Sequence, residues 1–142
     1  MSNPFQLDRF VQAQNPVIAE VRRELRAGRK RSHWMWFVFP QLRALGHSAT
    51  AQHYGIASLA EAEAYMAHPV LGPRLVGCAE LVLAIEGRSA TEIFGSPDDL
   101  KLRSSMTLFG AARPEAHAFA EVIGRYFDGT PDPRTMELLA AR

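Results

Sequence analysis

A chain of 142 residues, 47% apolar and 22% charged, has the size and composition of one globular domain with a single core, and most of its length is not expected to be disordered. No apolar run approaches the roughly 20 residues that cross a bilayer, and Met1-Ser2-Asn3-Pro4-Phe5-Gln6 has neither the basic nor the apolar segment of a signal peptide. Cys78 is the only cysteine, so no disulfide forms within the chain and a cytoplasmic protein is expected; the net charge is +1, but outside residues 22–31 the chain is net negative, which argues against a nucleic-acid binder with a broad basic face.

In chain order, Asn15-Pro16 reads as a helix N-cap followed by proline, with Val17, Ile18, Val21 and Leu25 as one apolar stripe before Gly28. Six of the 16 basic residues then fall between Arg22 and Arg31, with Glu24 the only acid among them. Such a run suits either the C-terminal end of a helix or the phosphates of a ligand. Trp34 to Phe39 is apolar and rich in β-forming residues. With no partner strand in view to satisfy its backbone, it reads as a short buried helix stopped by Pro40.

Ser58-Leu59-Ala60-Glu61 has the pattern of a capping box, and His68-Pro69 ends the helix it starts. The strongest periodicity runs from Leu71 to Glu86, where Leu71, Leu75, Cys78, Val82 and Ile85 are spaced by three and four; this helix is expected to be central and to end at Gly87. Ser89-Ala90-Thr91-Glu92 is a second box, and Ser96-Pro97-Asp98-Asp99 starts a longer helix with its acids at the positive dipole end. Pro114 is expected to open a helix faced by Phe119, Val122, Ile123, Tyr126 and Phe127. Asp132-Pro133 opens the last one. The expected fold is mainly α, with about six to eight helices, no substantial sheet and one domain over residues 1–142.

Standard catalytic signatures are missing. There is no phosphate-binding glycine loop and no nucleophile elbow. His47 and His53 are six residues apart, with no cluster beside them to complete a metal site. Cys78 lies on an apolar stripe and reads as a structural thiol.

Two segments remain as candidates. In the first, Arg29 to Gln41, four of the protein's 13 aromatic residues follow three consecutive cations. Lys30 and Arg31 could hold phosphate, Trp34 or Trp36 could stack on a base, and Gln41 could orient a ligand. His33, at the boundary of charge and core, is the proton-transfer candidate, because histidine ordinarily titrates nearest neutrality. In the second segment, residues 98–109, Leu102, Met106 and Phe109 make the core face at 100° per residue, with Lys101 and Arg103 on its two flanks. Ser104 and Ser105 are placed beside Lys101 and Thr107 beside Arg103. Hydroxyls inside a helix are costly unless exposed, bonded back to it, or used. His68, in a turn between helices, is a further candidate. The two segments are expected to meet around one concavity.

Residues 29–41, the stretch His68-Pro69-Val70-Leu71-Gly72-Pro73-Arg74-Leu75, and residues 99–109 together resemble the bacterial and fungal family catalogued as domain of unknown function 1810. The resemblance runs from about Pro4 to Leu139. Some members carry the label calpastatin, which nothing in this sequence supports. The resemblance implies a compact, mainly α-helical domain and supplies no reaction, substrate, cofactor or catalytic residue. The functional expectation therefore rests on the residues themselves. It is a domain that binds, and in one version processes, a small anionic, nucleotide-like ligand, as a monomer or small homo-oligomer. A non-catalytic protein-interaction module is the alternative, and single-stranded nucleic acid the least favoured partner.

Overall fold

The structure is a computed structural model and describes residues 5–141. Met1 to Pro4, read above for a signal peptide, lie outside the described residues. The chain forms α1 (Asp8–Gln14), α2 (Ile18–Arg26), α3 (Met35–Val38), α4 (Ala49–His53), α5 (Leu59–Ala67), α6 (Leu71–Leu83), α7 (Ala90–Phe94), α8 (Asp98–Ala112), α9 (Ala118–Tyr126) and α10 (Pro133–Ala140). A 3-10 turn spans Arg43–Leu45. The only strand-like feature among the described residues is a parallel bridge between Leu42 and Ile56. The fold is all-α, as expected. The two helices beyond the expected six to eight are α1 and α4, both short.

Several helix starts differ from the sequence reading. Asn15 does not open α2; its N–H donates to the Val11 carbonyl and so completes α1, while its side chain accepts from Arg74. Ser96 does not cap α8, whose N-cap position is Pro97; the first turn is held instead by Asp99 N–H on the Gly95 carbonyl. The helix expected from Pro114 starts four residues later, at Ala118, after a turn closed by Ala116 N–H on the Arg113 carbonyl. The Ser89 box is complete, whereas Glu61 turns away from Ser58 to accept from Ala57 N–H and Arg9.

The core lies where α5, α6, α8 and α9 meet, with α2 against α6. α8 is its innermost helix: Ser104 through Phe109 are all buried. α6 is central as expected, packing against α2, α5 and α9 with Leu75, Cys78, Val82 and, just past its end, Ile85 buried, while Pro73 and Glu80 stay in solvent; it ends at Leu83, short of the expected Gly87. Its packing is complete, since Leu75 is 1% and Val82 0% exposed. Leu75→Ala or Val82→Ala is expected to cost about 2–4 kcal/mol through lost contacts and a cavity. Denaturant melts showing losses below about 0.5 kcal/mol for both would make α6 peripheral.

Polar ties fix the outer helices to this core. The Arg9 guanidinium donates to the carbonyls of His53 (2.8 Å) and Gly55 (3.1 Å) and to Glu61 (2.8 Å), clamping α1 to the start of α5. Buried Gln14 donates to the Phe37 carbonyl (2.6 Å) and the Tyr65 hydroxyl (3.0 Å), joining α1, α3 and α5. Burial raises the Tyr65 phenol well above its ordinary pKa, against a smaller lowering by the Gln14 bond, and keeps it neutral. Asp132 caps α10 through Thr135 N–H (3.0 Å), and its own N–H donates to Thr107 (2.9 Å) on α8.

Candidate functional site

The first segment is organised by Glu24, the lone acid of the basic run. Its buried carboxylate accepts from Arg31 N–H (2.7 Å), Ser32 N–H (3.1 Å), the Ser32 hydroxyl and the Trp34 indole (2.9 Å). Burial alone would raise its pKa. The bonds from Ser32, Arg31 and Trp34 outweigh that and hold it at about 2, so it is ionised at neutral pH. One carboxylate thus folds residues 31–34 back onto α2. Trp34 is spent in doing so: it is 1% exposed and presents no face to a ligand. Trp36, the second residue of α3, is only half-buried.

The same fold-back carries Lys30 to α8. Its N–H donates to the Ile93 carbonyl at 2.7 Å, and its Nζ, on a side chain only 7% exposed, lies 2.9 Å from Asp98 Oδ2. Lys101 Nζ approaches the other oxygen of that carboxylate at 3.4 Å. The two ammonium groups also lie over indoles, Lys30 over Trp34 at 5.2 Å and Lys101 over Trp36 at 4.7 Å. Two cations share one carboxylate beside a half-buried indole, an excess of one positive charge. Arg31 and His33 are exposed on the adjoining segment, and neither side chain makes a hydrogen bond or ion pair among the described residues.

Other candidates lie elsewhere. Arg103 donates to the Thr130 carbonyl (2.9 Å) and lies over Phe127 at 5.9 Å, on the flank of α8 that faces the turn before α10. Ser104, one turn after Lys101, turns its hydroxyl toward α10: it bonds back to the Leu100 carbonyl and reaches Asp132, both at 3.2 Å. Ser105 is fully buried, and its Oγ has no hydrogen-bond partner among the described residues. His68 is a cap for α6: its Nδ1 accepts from Val70 N–H (3.1 Å) and Leu71 N–H (3.3 Å). Gln41 is half-buried, its carbonyl accepting from Ile56 N–H at 2.9 Å. The Cys78 thiol is buried, and that burial pushes its pKa up to about 11 against a lowering by Arg22 and Arg74, which makes it a poor nucleophile.

Sequence reasoning missed Glu24 and Asp98 as parts of this arrangement. Signals for both were present: Glu24 is the only acid in a run of cations, and Asp98 is one turn before Lys101. Three concavities open away from the Lys30–Lys101 pair. One of about 550 Å3 opens between α6 and α9, one of about 410 Å3 between the first turn and residues 43–57, and one of about 320 Å3 at the ends of α2 and α6. No cluster of three or more His, Cys, Asp or Glu able to hold a metal is found among the described residues, and no helix there is long and apolar enough to cross a membrane.

The family model described as "Protein of unknown function (DUF1810)" matches residues 4–139. The chain belongs to the DUF1810 family. The crystal structure of the conserved hypothetical protein Rv1873 from Mycobacterium tuberculosis is similar to it at 59% identity and a TM-score of 0.96, covering 97% of this chain and 99% of that one. No match was found among curated proteins. The DUF1810 fold is therefore shared with a solved structure across almost its whole length, and the family assigns it no activity.

Proposed function

We propose that this chain binds a small anionic ligand, nucleotide-like, at the rim formed by Lys30, Asp98, Lys101 and Trp36. The observation that carries the reading is the pair of ammonium groups on one carboxylate beside a half-buried indole. A phosphate takes the charge that Asp98 leaves uncompensated, and Lys101 moves from over Trp36 to meet it. The indole face so opened receives a planar base, a contact worth about 1–3 kcal/mol in single-stranded nucleic-acid sites. Arg31 adds charge at the edge, and exposed His33 is the group of this segment able to move a proton. Arg103 and Ser104 have no part in it, being held by Thr130 and Asp132.

A thermal-shift screen against nucleotides, sugar phosphates and ADP-ribose-type compounds tests this, since a ligand specific to the folded state raises Tm. Lys101→Ala is expected to remove the ligand-induced rise while changing the ligand-free Tm little. Arg103→Ala should retain the rise. No stabilisation by any compound, or stabilisation that survives Lys101→Ala, would sink the reading.

A further inference from the structure

A second surface, independent of the Lys30–Lys101 rim, lies where α2 and α6 end. Gly28 takes a left-handed backbone (φ +78) to turn the chain out of α2, and Arg88, from the turn after α6, lies across it. A Cβ at Gly28 would meet Arg88 Nε at 3.4 Å and Ile85 Cγ2 at 3.5 Å. The resulting concavity, about 320 Å3, has Leu25, Leu81 and Ile85 among its apolar lining and Arg26, Arg88 and Glu86 among its charged lining. Arg26 and Arg88 are exposed, and neither guanidinium makes a hydrogen bond or ion pair among the described residues. Half-buried Arg22 and exposed Arg29, next to them, make none either. By contrast Arg9, Arg23, Arg74, Arg103 and Arg125 are each bonded to an acceptor. The dipole of α2 favours a cation at Arg26. Arg88 lies outside any helix; after the bonds from Ser89, it helps lower the Glu92 carboxyl but makes no ion pair with it among the described residues.

We propose that this concavity docks an acidic peptide segment, with one aliphatic side chain seated against half-buried Leu81 and the edge of Ile85 and carboxylates on Arg26 and Arg88. Guanidinium forks pair with carboxylates through two parallel bonds. Arg22, one turn before Arg26 and about 6 Å along α2, extends the basic stripe beyond the concavity, which suits an extended chain better than a compact molecule. No aromatic side chain lines the site, so a nucleic-acid base finds no stacking face there.

The test is fluorescence anisotropy of the full chain with a fluorescein-labelled peptide in which one leucine is flanked on both sides by Asp and Glu. Binding is expected to weaken at least tenfold when serine replaces the leucine, and as much in Arg26→Glu/Arg88→Glu. The single variant Arg26→Glu provides a second measure should the double variant melt early. Absence of binding to the peptide, or binding indifferent to both the leucine and the charge reversal, overturns the proposal. So does equal or tighter binding of a single-stranded oligonucleotide or of phosphatidylserine vesicles that the same substitutions abolish, since the surface would then read negative charge alone.

Discussion

Gly72→Ala is expected to destabilise the protein by about 3 kcal/mol, near the upper end for an overpacked core position. A Cβ at Gly72 would fall within 3.0 Å of the Met66 carbonyl oxygen, a separation real Cβ atoms essentially never show. The obstruction is backbone, so no rotamer change relieves it. α6 would have to move off the end of α5, taking Leu71 and Leu75, which are 0% and 1% exposed, with it. Gly77 in the same helix is the control. Nothing lies within 4 Å of a Cβ there, so Gly77→Ala should stabilise by about 0.5–1 kcal/mol through helix propensity alone. Chemical denaturation of the two variants checks both signs at once. Equal, small effects would mean that the corner between α5 and α6 yields freely.

Glu24 should make stability depend on acid over a defined range. Its folded pKa is depressed from 4.5 to about 2, so the stabilisation is complete above the higher value and is lost as the pH falls through the lower one. The difference corresponds to about 3 kcal/mol. Glu24→Gln should flatten that part of the pH profile. Glu24→Ala should cost a similar amount at neutral pH, because it leaves the Trp34 indole and two backbone N–H groups without their acceptor. Urea melts at several pH values between 5 and 2 measure the effect. Parallel profiles for the native protein and its Glu24→Gln variant would assign the acid sensitivity to other carboxylates.

Most of the helical framework could be read from local chemistry. The 3–4 spacing of α6, the Ser89 box and the Asp132-Pro133 start each depend on a few neighbouring residues, and each stands in the structure. What could not be read depends on partners distant in sequence. α1 is anchored by Arg9 and Gln14, whose partners lie around residues 37–65, so nothing local announces the helix. The wheel for α8 puts Lys101 and Arg103 on different flanks, but only the position of Asp132 decides that the Ser104 hydroxyl is taken up by the cap of α10. Trp34 shows the same limit more sharply. An indole after three cations reads equally as a stacking wall or as core, and the choice is made by Glu24, ten residues earlier.

The burial of Cys78 has a practical consequence. The chain holds a single thiol, closed off at 1% exposure and kept protonated by a pKa near 11. A water-borne alkylating reagent reaches that sulfur only after α6 lifts from its neighbours, so each modified molecule records one excursion of the interior into solvent. The mass gained over time is then a clock for breathing of the native state, and no cysteine need be introduced to read it.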